Sequence, residues 1–183
     1  MEVPASGHES TAGTLRLAVE CARQKTIKHL VVASASGATA ERLLPYAAMF
    51  NIVCVSHVTG FTGNGEQEMS LADRGKLESG GIRVVTATHV LSGAERGLSK
   101  KFGGIYPLEI MANTLRIFGQ GVKVALEIAV MALDAGTIPY GEKIVAIGGT
   151  GSGADTAVVL TPAHAQRILE SRIHEIICKP YEF

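Results

Sequence analysis

The sequence predicts an α/β fold on an open, largely parallel sheet, and three observations carry that expectation. Short, continuously apolar runs at residues 29–34, 51–56, 82–87 and 144–147 have the length and character of buried strands, and stretches of helical periodicity lie between them. Two of these runs pass straight into loops of glycine and small hydroxyls. The run at 157–160 follows the fourth strand so closely that the two should pair antiparallel, which makes the sheet mixed.

At 183 residues the chain suits one domain, 1–183, with a proper core. Seventeen basic residues balance seventeen acidic ones, and no stretch gathers the positive charge that nucleic acid or an anionic membrane would need. A small neutral or phosphorylated partner is expected. The longest nearly apolar run, 124–133, contains Glu127 and is too short to span a bilayer, and the N-terminus has no basic flank followed by an apolar segment. A cytoplasmic location follows. Cys21, Cys54 and Cys178 are odd in number and far apart, which suits small core residues better than a disulfide framework or a metal site.

Ser10 and Thr11 offer N-caps for a first helix, with Glu9 near its positive end and Leu15, Ala18, Val19 and Ala22 on one face. After the first strand, Ser34, Ser36, Gly37, Ala38 and Thr39 lead into a helix expected over 40–49. Free N–H groups and the helix dipole there favour an anion, and the three hydroxyls can bond phosphate oxygens. Capping of the helix by Ser36 or Thr39 is the competing explanation. His57, Thr59 and Gly60 follow the second strand, a short helix is expected around 69–77, and His89 closely follows the third strand. Both histidines should lie beyond the carboxyl ends of strands, where ligands bind in such sheets, and ordinary hydrogen bonding is the alternative role.

Residues 92–104 carry Arg96, Lys100 and Lys101 and read as a solvated helical face, with Arg96 or Lys101 able to fold over a phosphate. Pro107 fits the first turn of a helix through Phe118, and Gly119 and Gly121 break it before a helix over 122–133. Only Lys123 and Glu127 interrupt the apolar surface of that last helix. It must be buried beneath neighbouring helices or against another subunit, and a homo-oligomer is expected. Thr161 and Pro162 should open a helix to Glu170, and 173–178 a final strand.

The densest signal is the loop after the fourth strand, from Gly148 and Gly149 through Thr150, Gly151, Ser152, Gly153, Ala154 and Asp155 to Thr156. Glycines let backbone N–H groups approach an anion and the hydroxyls add donors, whereas a merely flexible turn is the plainer account. Two familiar nucleotide motifs fail here. Gly148 and Gly153 have the outer spacing of a Walker A loop, but Ala154 and Asp155 stand where its Lys and Ser/Thr belong. Gly149, Gly151 and Ala154 match a loose dinucleotide fingerprint, yet a strand follows instead of a helix.

The loop Ser34-x-Ser36-Gly37-x-Thr39-Ala40 resembles the effector-phosphate loop in the C-terminal domain of pyruvate kinase, and Gly149 to Thr156 resembles that domain's second ligand loop. With the ten residues from Gly148 to Ala157, nearly the whole chain is similar to the stand-alone pyruvate kinase C-terminal-like proteins of archaea and bacteria. The resemblance implies a three-layer α/β/α sandwich with strand order 3-2-1-4-5, strand 5 antiparallel, and an extra C-terminal strand. It implies no pyruvate kinase activity, because that chemistry belongs to a separate barrel. The Trp and Pro common in the enzyme's second loop are absent here, which argues against its sugar-bisphosphate effector.

The resemblance also implies bound flavin mononucleotide (FMN). On that reading Ser34, Ser36, Gly37, Ala38 and Thr39 hold the phosphate, and Gly149, Thr150, Gly151, Gly153, Asp155 and Thr156 close over the ribityl chain or ring, with Thr59 and Gly60 in the same site. Asp155 would repel phosphate, so it accepts from ribityl hydroxyls or holds its own loop. Replacing Gly37 should abolish ligand retention with the fold intact. Three functions follow: binding of FMN or another phosphorylated molecule, a flavin-dependent oxidoreductase with His57 or His89 as proton donor, or a regulatory module that senses a phosphorylated metabolite. No catalytic residue or metal ligand is singled out.

Overall fold

Side chains alternate across a strand, so a run that is apolar at every position must be covered on both faces. In the computed structural model, which describes residues 7–182, this is how the sheet is built; the reading of the first six residues lies outside the described ones. Strands β1 (His29–Ala33), β2 (Asn51–Ser56), β3 (Arg83–Thr86), β4 (Ile144–Gly148), β5 (Thr156–Thr161) and β6 (Arg172–Cys178) stand in the order β3-β2-β1-β4-β5-β6. The first four are parallel, β5 runs antiparallel to β4, and β6 antiparallel to β5.

Register sorts the core into two layers. Leu30, Ile52, Val145 and Val159 share one row and meet α1 (Thr11–Gln24) through Leu15, Ala18, Val19 and Ala22, with Leu77 of α3 (Leu71–Ser79) in the same cluster. Val31, Val53, Ala146 and Val158 form the opposite row beneath α6 (Gln120–Asp134). Each such side chain contributes about 1.5–3 kcal/mol when fully buried. The result is a three-layer α/β/α sandwich with a mixed sheet and an additional C-terminal strand. Cys21, Cys54 and Cys178 are all buried and free, and burial pushes the Cys54 thiol up to about 12.

Three helical expectations change. The helix expected over 40–49 is only α2 (Ala38–Glu41) followed by a 3₁₀ turn at Leu44–Tyr46. Pro45 supplies no N–H and crowds the preceding turn, so the helix cannot run through it. The helix expected from Thr161 to Glu170 is a kinked 3₁₀ segment, Ala165–Glu170. Here β5 and β6 pair out to Thr161 opposite Arg172, and Ala163 N–H donates to Ser171 Oγ at 3.0 Å, so the connection turns back before an α-helix can form. Finally, α6 starts at Gln120 and takes Gly121 into its first turn.

The apolar α6 is covered by its own chain: the sheet lies beneath it, and α5 (Pro107–Arg116) and the 3₁₀ segment pack against it. Its composition therefore demands no second subunit. Exposed apolar side chains between residues 98 and 118 include Leu98 and Phe102 of α4 (Gly93–Phe102), Ile110 of α5, and Ile105, Ile117 and Phe118, which flank α5 in the chain.

The first turn of α6 sits directly on the ends of β4 and β5. A Cβ on Gly148 would run into the carbonyl oxygen of Gly121, and one on Gly121 into the Thr156 side chain. We expect Gly148→Ala to cost about 1–3 kcal/mol, since backbone must move to admit the methyl. Gly13, inside α1 with open space around its Cβ position, gives the contrast: Gly13→Ala should stabilise by about 0.5–1 kcal/mol. Urea melts of the two variants check both signs.

Candidate functional site

Strand β1 lies between β2 and β4. The chain leaves β1 toward β2 through α2, against one face, and reaches β4 from α6 on the other face. The loops beyond β1 and β4 therefore part at a topological switch point, where open α/β sheets bind ligands. A cavity of about 870 Å³ opens there, lined by both loops and by residues of α4, α5 and α6. Its size lies within the range of small-molecule sites, roughly 300–1,000 Å³.

The loop after β1 turns a run of backbone N–H groups toward the cavity. Ser34 Oγ accepts from Thr39 N–H at 3.1 Å and Ala40 N–H at 3.5 Å, so Ser34 caps α2 from inside. Among the described residues, the N–H groups of Ala35, Ser36, Gly37 and Ala38 have no protein acceptor. Ser36 and Ala38 are exposed and Ala35 is half-buried, so water can reach this run, and four successive N–H groups without a protein acceptor at the mouth of a cavity are an arrangement that suits an anion. The four-residue α2 adds little dipole, and the free N–H groups take over the role expected of a longer helix. Ser36, Ala38 and Thr39 line the cavity; Gly37 lies behind them. At φ +93° it packs near Leu77 Cδ1 and Met69 Cε, so any side chain there strains the backbone and α3 together, and its substitution does not separate ligand retention from folding.

The loop after β4 alternates. Thr150 N–H donates to Asp155 Oδ2 at 2.9 Å, Ser152 N–H to Thr150 O at 3.0 Å and Ala154 N–H to Thr11 Oγ1 at 3.0 Å. Between them, Gly149, Gly151 and Gly153 line the cavity, and their N–H groups have no protein acceptor among the described residues. Asp155 is fully buried, and its Oδ1 accepts from Thr156 Oγ1 at 2.7 Å. Thr150, Asp155 and Thr156 thus form the frame that holds the three glycines in place.

Thr59 and Gly60 stand outside the cavity wall, in the turn that carries Phe61 into it: Gly60 N–H donates to Glu66 O at 2.7 Å, and Thr59 Oγ1 accepts from Gln67 Nε2 at 3.4 Å. Phe61, His57 and His89 form a ring cluster, with centroids 4.1 Å apart for His57 and Phe61 and 5.4 Å for the two histidines. His57 Nδ1 is 2.6 Å from Glu68 Oε2. His89 Nε2 accepts from Val58 N–H at 3.3 Å, which puts the proton of a neutral ring on Nδ1. Burial holds His89 below its ordinary pKa, and the charges of His57, Lys123 and Arg96 outside Glu127's opposing pull act in the same direction.

Four cations in the wall complete the site, and only Arg96 was a sequence candidate; Lys101 is not in the wall. Arg116 donates to Gln120 Oε1 at 2.7 Å and Asn113 Oδ1 at 2.8 Å, and Lys123 pairs with Glu127. The guanidinium groups of Arg42 and Arg96 have no protein acceptor among the described residues. The missed signal was periodic. Arg116, Gln120, Lys123 and Glu127 recur at helical spacing through an otherwise apolar stretch, as a polar stripe facing a cavity does.

Fold and crevice together define an α/β protein with a cavity beyond the carboxyl ends of its parallel strands, the place where such sheets bind ligands. A model of the pyruvate kinase alpha/beta domain family matches residues 13–160, well over half of the chain, and the protein belongs to that family. The match takes in both loops. No helix among the described residues is long and apolar enough to cross a membrane, and no three His, Cys, Asp or Glu side chains gather there as a metal site would require.

A histidine whose folded pKa is depressed binds protons more readily in the unfolded chain. Its contribution to stability is full above the unfolded value near 6.5 and is lost as pH falls through the folded one. Melting temperature should therefore fall between pH 7 and pH 5, and His89→Gln should make that fall shallower than in the native sequence.

Proposed function

We propose that the crevice binds a phosphorylated small molecule, with FMN the foremost candidate, and that the protein works in the cytoplasm, for which its free, buried cysteines argue. The observation that carries the reading is the pair of loops whose unpartnered N–H groups border one cavity beside two unpaired arginines. Backbone N–H groups and guanidinium forks are what phosphate oxygens bond best.

The donor set also suits the rest of FMN. Ser92, Asn113 and Gln120 offer polar groups for a polyol, and Phe61, packed against His57, offers an aromatic ring for contact with a ring. Bound FMN would supply redox chemistry, while the chain's residues bind and orient it. A second reading, a flavin-dependent oxidoreductase, is favoured by the close His57–Glu68 pair in the wall, where Glu68 would orient the imidazole for proton transfer. Self-association belongs to the same proposal, with the exposed apolar residues of α4 and α5 as the surface to be covered.

Fluorescence titration with FMN and with riboflavin tests the reading. FMN should bind at least about tenfold more tightly, because only it carries the phosphate, and Arg42→Ala or Arg96→Ala should each weaken FMN by about three- to tenfold, a modest loss because both groups are exposed. Equal affinity for the two flavins, with both variants neutral, would remove phosphate recognition from this crevice.

A further inference from the structure

Lysines are almost never fully buried unless paired. Lys123 is 6% exposed, stands in the wall of the cavity, and pairs with Glu127 one helical turn along α6. The other oxygen of Glu127 accepts the Leu91 N–H at 3.0 Å, so the carboxylate is held from two sides. As a device for stability such a pair is poor, since apolar residues of similar volume commonly serve as well or better. Its surroundings give it another use. Burial above all, with Arg116 and Arg96 adding to it against the pull of Glu127, pushes the Lys123 ammonium below its ordinary pKa. Desolvation together with neighbouring cations is a recognised way of making a lysine amine nucleophilic.

We propose that Lys123 captures a phosphorylated aldehyde or ketone as an imine, with Glu127 carrying the proton. This rests on the phosphate part of the reading above and is independent of the flavin. The unprotonated Nζ attacks the carbonyl carbon, a C–N bond forms, and the C=O π pair moves to oxygen. One Nζ proton ends on that oxygen, giving a carbinolamine. The second passes to Glu127 and returns to the hydroxyl, which leaves as water as the C=N bond forms. Amine and carbonyl give imine and water, and neither an oxidant nor a reductant is consumed. The two loops hold the phosphate while the carbonyl end reaches the lysine.

The test is reductive trapping of the 183-residue chain with glyceraldehyde 3-phosphate and sodium borohydride, read by intact and peptide mass. We expect one adduct per chain, on Lys123, formed about tenfold faster than with unphosphorylated glyceraldehyde. Lys123→Arg should abolish it and Glu127→Gln should slow it about a hundredfold. Because Lys123→Met alone would strand a buried carboxylate, the double variant K123M/E127L serves as the second lysine-free control, with folding checked by thermal melting. An adduct scattered over surface lysines, one that persists at the same rate in K123R, or no adduct in the native sequence would overturn the proposal. Parallel melts with inorganic phosphate separate the two readings. Stabilisation by phosphate without an adduct overturns the imine alone. Trapping on Lys123 with no preference for the phosphorylated aldehyde and no stabilisation by phosphate keeps the lysine and removes the anion site.

Discussion

Everything in the crevice depends on how closely α6 approaches the ends of β4 and β5. At Gly148 the helix's first turn meets β4 backbone to backbone, through the Gly121 carbonyl, and at Gly121 it lies directly against the Thr156 side chain of β5. That contact fixes Lys123, in the same turn, and Glu127, one turn further, in the wall, and it positions the loop that leaves β4 at Gly148. The apolar length of α6 supplies the adhesion: its side chains, buried along nearly all of the helix, tie it to β1, β4 and β5. Two glycines decide how near it lies; the hydrophobic effect decides that it stays.

The loops convert this rigidity into chemistry by leaving hydrogen bonds unmade. In the β4 loop every second N–H is taken by the protein and the ones between are left to the cavity. Asp155 makes this possible. It accepts from the Thr150 N–H and the Thr156 hydroxyl from a fully buried position, so its carboxyl oxygens serve the frame. In the β1 loop Ser34 does the corresponding work for Thr39 and Ala40. N–H groups arranged in this way are a pattern that favours anions through the backbone alone, before any cation is counted.

Much of this was legible in the sequence, for physical reasons that can be stated. Strands covered on both faces are apolar throughout, so β1, β2 and β4 stood out within a residue of their ends. The two loops stood out because glycine and small hydroxyls have few other uses directly after a buried strand. Occupancy of individual N–H groups was not legible: the Ala154 N–H meets Thr11, 143 positions away, and no local pattern reports that. Helix extents failed where Pro45 sat in plain view and where the β5–β6 pairing cut a helix short. Arg42 carries no local motif, and only the tertiary packing that sets the end of α2 across from α5 and α6 brings it into one wall with Arg116.

The central claim is that this crevice holds a phosphorylated ligand. Its most direct test is the visible absorption spectrum of freshly purified, untagged protein, followed by mass spectrometry of whatever small molecule is released on denaturation. The account predicts a flavin spectrum and the mass of a mononucleotide. A colourless protein that releases no phosphorylated molecule, and takes up neither FMN nor phosphate when they are supplied, would contradict it.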